Sequence, residues 1–175
     1  MNIRKACDVA GNANGVRGTL SLSYVGDVLT VPAPDADTYD VTTDIVMEPD
    51  AGGVGVAGVF YEWEFSEIGS TYSFEPEGEE EDSYGTHVLT MFLPKMTSAK
   101  NLILDQAKGG KEFVAVFNDR NETPWLVGTD KVGATVTATP GTDVNSRNGY
   151  NVVLRYRSAR NLYRYTGALA IADDV

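Results

Sequence analysis

Residues 59–65 read Val59-Phe60-Tyr61-Glu62-Trp63-Glu64-Phe65. Aromatic and β-branched residues alternate with carboxylates at a period of two, the pattern of a strand and not of a helix. The alternation places Val59, Tyr61, Trp63 and Phe65 on one side and Phe60, Glu62 and Glu64 on the other, a half-buried strand with a wet face. A second run, Thr86–Leu93, is almost wholly apolar or β-branched, which predicts cover on both sides. Pro94 closes it, because proline has no N–H for the sheet ladder. Between the two runs, residues 75–82 carry six acids in eight positions. Their mutual repulsion and lack of apolar groups predict a projecting loop.

The period changes once beyond Pro94. A helix is expected over about 97–108, with Thr97 or Ser98 as N-cap and Gly109-Gly110 as the stop. Met96, Ala99, Ile103 and Ala107 fall near one face, with Leu102 and Gln106 at its edge, and this stripe should lie on the sheet. Short strands follow at Glu112–Asn118 and Trp125–Gly128, joined by the polar turn Asp119-Arg120-Asn121-Glu122. Gly133–Thr139 alternates Ala/Val with Thr, Pro140-Gly141 reads as a break, and Tyr150–Arg157 and Leu162–Tyr165 complete the series. Before residue 57, Thr19–Tyr24, Asp27–Val31 and Asp40–Met47 read as short strands and Gly52–Gly58 as a flexible loop. The expected fold is mainly β: an antiparallel β-sandwich or rolled sheet with one flanking α-helix. It is expected as a single domain over 1–175, with a flexible N-terminal segment and an acidic loop at 75–82.

Composition agrees with that plan. The 175 residues suit a single core, and 18 glycines suit many turns. No apolar stretch reaches the length of a membrane span, and the polar start lacks the pattern of a secretory leader, so a soluble chain made in the cytoplasm is expected. Cys7 is the sole cysteine, which excludes an intrachain disulfide and a Cys-based zinc site. The net charge is -11, against the excess of cations that a nucleic-acid coat needs. It is unevenly spread: residues 1–94 hold 17 acids and 3 bases, residues 95–175 hold 8 acids and 11 bases. If the halves lie on different faces, copies attract one another head to tail.

Few parts of a catalytic centre are present. His87 is the only histidine, so a Ser-His-Asp triad would depend on it, yet it lies inside a strand and reads as a structural residue. Cys7, with Arg4 and Lys5 nearby, has no surrounding signature. Glu62 and Glu64 share a strand face as an acid/base pair would, but alternation on an exposed face explains them more simply. Asp35, Asp37 and Asp40 hint at calcium, but the glycine and glutamate of an EF-hand loop are missing. The glycines at 52–55 lack the lysine of a phosphate loop. No catalytic residue, metal or cofactor is expected. The charges that remain are a group of arginines, Arg155, Arg157, Arg160 and Arg164 with Arg147, and the acids Glu79, Glu80, Glu81 and Asp82. Guanidinium and carboxylate pair in bidentate fashion, which makes these two sets the expected contact between neighbouring copies.

Read in order, several motifs resemble a family of structural proteins of phages and prophages in Bacteroidetes that are similar to tail-tube proteins. They are the early Cys7-to-Val16 stretch, the aromatic Phe60–Phe65 strand and Leu93-Pro94-Lys95 before the helix. The hairpin from Val114 through Asp119-Arg120-Asn121 to Trp125-Leu126-Val127-Gly128 and the motif Arg147-Asn148-Gly149-Tyr150 complete the set. The acidic segment near 75–82 and the tail after Thr166 depart from the pattern. The resemblance implies a virion protein of a tailed phage, assembled as a ring, commonly of six copies, in a tail tube through which the genome passes. Its partners would be copies of itself and other tail or connector proteins, with DNA passing unbound and no membrane. A head-to-tail adaptor, hub or ring protein of a short-tailed phage is the alternative within that class. A carbohydrate-binding β-sandwich, with Trp63 and Trp125 as stacking platforms, is the alternative from another class.

Overall fold

The structure, a computed structural model, describes residues 16–49, 58–78, 84–107, 109–141 and 148–172. β1 (Val16–Tyr24) pairs antiparallel with β5 (Tyr61–Glu64) on one side and β8 (Glu112–Asp119) on the other. From β8 the sheet continues through β10 (Ala134–Gly141), β11 (Gly149–Ser158) and β7 (Tyr84–Pro94) to β6 (Ser66–Glu77), every pair antiparallel. Only Phe65 separates β5 from β6. The strand order therefore returns to the segment it started from, and the sheet rolls up.

A branch leaves the roll at β8. Residues 115–118 pair with β9 (Pro124–Val127), which pairs with β12 (Tyr163–Tyr165), which pairs in parallel with β3 (Asp40–Val41). β2 (Val28–Thr30) and β4 (Val46–Met47) form a separate two-stranded sheet.

This arrangement gives two cores divided by β8. Phe113, Ala115 and Phe117 point into the roll with Leu20, Leu22, Leu89, Met91, Val136, Val152 and Leu154. Val114 and Val116 point outward and pack with Val28, Val41, Ile45, Phe60, Leu126 and Tyr165. A strand buried on both faces has no wet side, which is why residues 113–117 are an unbroken apolar run.

The helix α1 (Ser98–Ala107) is where the sequence places it, and the Thr97 hydroxyl accepts the Lys100 N–H at 3.3 Å as its N-cap. Of the expected stripe Ala107 is buried and Met96 is not, and the side chains of Ala99 and Ile103 lie outside the described residues. Leu104 and Ala107 enter the core of the roll, whereas Met96 and Leu102 are exposed, Leu102 by 61%. The carboxylate of Asp119 shapes the expected hairpin turn. It accepts the backbone N–H groups of Asn121 at 2.8 Å and Thr123 at 2.9 Å and the Trp125 indole N–H at 3.1 Å. Asp119→Ala leaves these donors without their acceptor and is expected to cost about 2 kcal/mol in urea unfolding. Asp119→Asn, which keeps one acceptor oxygen, should lose less.

Four readings of the sequence are corrected. The acidic stretch is not a loop from residue 75: Glu75, Pro76 and Glu77 are the end of β6, opposite Thr86, Gly85 and Tyr84. β7 supplies enough ladder to hold them, and Gly78, at φ +96°, follows the strand. Phe60 is not on a wet face but is 0% exposed, because its ring packs in the outer core with Val28, Val41, Ile45 and Tyr165, and its backbone pairs with residues 170–172. Its N–H donates to the Ala170 carbonyl at 2.7 Å and its carbonyl accepts from Ala172 at 2.9 Å. Tyr61, expected inside, is exposed. Pro140-Gly141 does not break a strand, since both lie in β10 opposite Tyr150 and Gly149. The expected flexible segments before Val16 and at 52–57, and the acids 79–82, lie outside the described residues.

Candidate assembly surface

β6 is the edge of the rolled sheet along Thr71–Glu77, where β7 is its only partner among the described residues. Pro76 shows which backbone groups the edge presents. Opposed residues of an antiparallel pair alternate between those that exchange hydrogen bonds with the partner and those that face away. Proline has no N–H, so position 76, opposite Gly85, belongs to the second kind. By the same parity, the N–H and C=O groups of Tyr72 and Phe74 face the open edge. Both side chains are 40% exposed, and Ile68 lies further along the strand with 70% exposure. The Phe74 ring lies across Gly85, where a Cβ would collide with it.

The other half of each edge residue is anchored through His87, which is 2% exposed. Its Nε2 lies 2.9 Å from the Arg160 carbonyl and its Nδ1 2.8 Å from the Tyr72 hydroxyl. A carbonyl only accepts, so Nε2 carries the proton and Nδ1 accepts from the phenol. The rings of Tyr72, Phe74 and Tyr156 surround the imidazole at 4.8–6.0 Å. Both nitrogens are thus satisfied, and the expected structural role of the histidine has a geometric basis. Burial lowers its pKa below the ordinary value. The unfolded chain then takes up the proton first on acidification, so the stability this neutral histidine supports is complete above about pH 6.5 and is lost as pH falls below it. Urea midpoints between pH 7.5 and 5.5 should fall more steeply for the natural chain than for His87→Gln.

The outer face beside the edge is a charge ladder. Arg155 and Arg157 on β11 reach over β7 to Glu75 at 3.6 Å and Glu77 at 3.5 Å on β6. The Arg157 guanidinium also lies 4.0 Å from the centroid of the Tyr84 ring. These pairs are exposed, worth a few tenths of a kcal/mol each, and screened by salt. The structure divides the expected arginine group by partner: Arg155 and Arg157 serve the ladder, whereas the Arg160 and Arg164 side chains turn to Tyr163 and Asp40. Arg164 forms a two-pronged pair with Asp40, and Arg160 donates to the Tyr163 hydroxyl at 3.3 Å. The acids 79–82, the expected counterpart, lie outside the described residues.

The remaining candidates have local explanations. Asp35 accepts the N–H groups of Asp37 and Thr38, both at 2.9 Å, and these bonds hold its carboxyl below the usual range. Its oxygens thus close a turn. Trp63 and Trp125 are half-buried against the core, Trp125 with its indole N–H held by Asp119, so packing and a hydrogen bond account for both. Glu62 and Glu64 are exposed on β5 and rim a cleft of about 610 Å³ between β5, the end of β7 and α1. Among the described residues no cluster of metal-ligating side chains occurs, and no helix is long and apolar enough to cross a membrane.

The sequence reading missed most of β6, because only Ser70 of its twelve residues is buried. The spacing Ile68, Ser70, Tyr72, Phe74 carried the signal, a period of two that the acids beyond it obscured. Comparison of the chain with protein-family models, with curated proteins and with solved structures gives no match.

Proposed function

We propose that the chain is a structural virion subunit of a tailed bacteriophage, whose copies join edge to edge into rings of the tail tube through which the genome passes. The observation that carries this reading is the open edge of β6, seven residues long with aromatic side chains on it. An edge of that length is a template for another strand, and closing a ring of copies satisfies it while limiting growth. The sequence motifs that resemble tail-tube proteins supply the biological setting. The ladder from Arg155 to Glu77 is internally neutral, so the excess of acids elsewhere gives the assembled wall its negative character, and a negative bore repels DNA phosphates.

Electron microscopy of the purified protein, with native mass measurement, tests the proposal. Closed rings with a channel are expected, and stacked rings are expected of a tube. Unstacked single rings would favour an adaptor, hub or ring protein. A chain that stays monomeric at high concentration, with and without other tail components, would overturn the assembly reading.

A further inference from the structure

Six arginines are described, and five of them pair with a carboxylate: Arg17 with Glu67 and Glu122, Arg120 with Glu67, Arg155 with Glu75, Arg157 with Glu77 and Arg164 with Asp40. Among the described residues Arg160 alone has none, although the chain carries 25 acids. Its side-chain partner is the Tyr163 hydroxyl. The Tyr163 ring stacks on Tyr39 at 6.2 Å and 24°, and Tyr39 is 61% exposed.

This grouping is held in place from several sides. Tyr39 has a φ of +61°, a costly conformation for a tyrosine, and the turn that imposes it is over-determined. Asp35 accepts from the Tyr39 N–H at 3.0 Å and donates its own to the Asp40 carbonyl at 2.9 Å. The Arg164–Asp40 pair ties the turn to β12, and His87 holds the Arg160 backbone. Two tyrosine rings and a guanidinium with no carboxylate partner among the described residues, fixed before any partner arrives, are the residue types that carry most energy in protein interfaces.

We propose that Arg160, Tyr163 and Tyr39 form a docking patch for a carboxylate-bearing segment of a protein partner. Charge complementarity selects that occupant: one planar guanidinium matches one carboxylate, whereas a phosphate backbone needs several cations, and the neighbouring Arg164 is already paired with Asp40. The proposal does not rest on ring formation, because the acidic segment is recognised whichever protein carries it.

The test titrates a synthetic tetraglutamate peptide into the full chain and follows it by NMR. The signals of Tyr39, Tyr163 and the Arg160 side chain should move, with affinity weakening as salt is added. Arg160→Glu should reduce affinity by roughly tenfold and Arg160→Lys by less, since lysine keeps the charge but loses the fork. Both variants retain the backbone carbonyl that His87 uses, and unchanged circular dichroism confirms the fold. Shifts confined to other residues, or equal affinity for Arg160→Glu, would overturn the proposal. So would tighter binding of a single-stranded oligonucleotide at the same three residues.

Discussion

Phe74→Pro is expected to raise the concentration needed for the proposed ring formation by at least roughly tenfold, while Phe74→Ala leaves assembly near that of the natural chain. Both variants remove the ring that lies over Gly85, so both lose similar packing. They differ in one group. Alanine keeps the N–H at position 74, which the parity set by Pro76 aims at the open edge, whereas proline deletes that donor and puts a ring in the path of an incoming strand. The β7 ladder is untouched, because positions 73 and 75 make it. Sedimentation velocity across a concentration series separates the two outcomes, and equal assembly of the pair would remove β6 from the interface.

A second large effect is expected at Val114, which is 0% exposed at the centre of the outer core. Val114→Asp places a carboxylate there with no cation to meet it, at a cost of several kcal/mol, comparable with the whole stability of a domain this size. The expected result is an unfolded chain, seen as lost strand signal in circular dichroism, while Val114→Ala loses about 2 kcal/mol and still folds. Because Phe113 and Ala115, its neighbours on β8, belong to the inner core, the damage should not stay in the outer layer. Hydrogen exchange on Val114→Ala should show β1, β8 and β11 opening together with β9 and β12. Separate opening of the two layers would mean that β8 does not couple them.

The strands legible in the sequence were those whose side chains report burial. Thr86–Leu93 and Glu112–Asn118 are apolar because they face cores, and α1 is marked by Thr97 and the glycine pair. The errors lie where a tertiary partner overrides local chemistry. Glu75–Glu77 reads as a loop until β7 and the arginines of β11 stand beside it. Phe60 reads as wet until the outer core, with Tyr165 from more than a hundred residues later, packs around it. Of the predicted contact residues, Arg155 and Arg157 did fall together on one face. The separation of Arg164 from them is not encoded locally, because it depends on β12 joining the branch through β9 and not the roll. Tyr39 carried no signal at all, since its conformation comes from a turn closed by Asp35.

The closing of the roll also orders events as the chain leaves the ribosome. Leu22 on β1 pairs with Tyr61 on one side and Ala115 on the other. The first partner follows after roughly 40 residues and the second after roughly 90, so nearly every pairing that encloses β1 is non-local, the arrangement that folds slowly. At about 5–20 residues per second, the N-terminal half waits several seconds with β1 and β7 paired on one side only. That waiting half is also the one that carries 17 acids and 3 bases. Nascent chains on one polysome repel one another during the interval in which they are most prone to stick, and the surplus of carboxylates acts as an internal safeguard until β8 arrives.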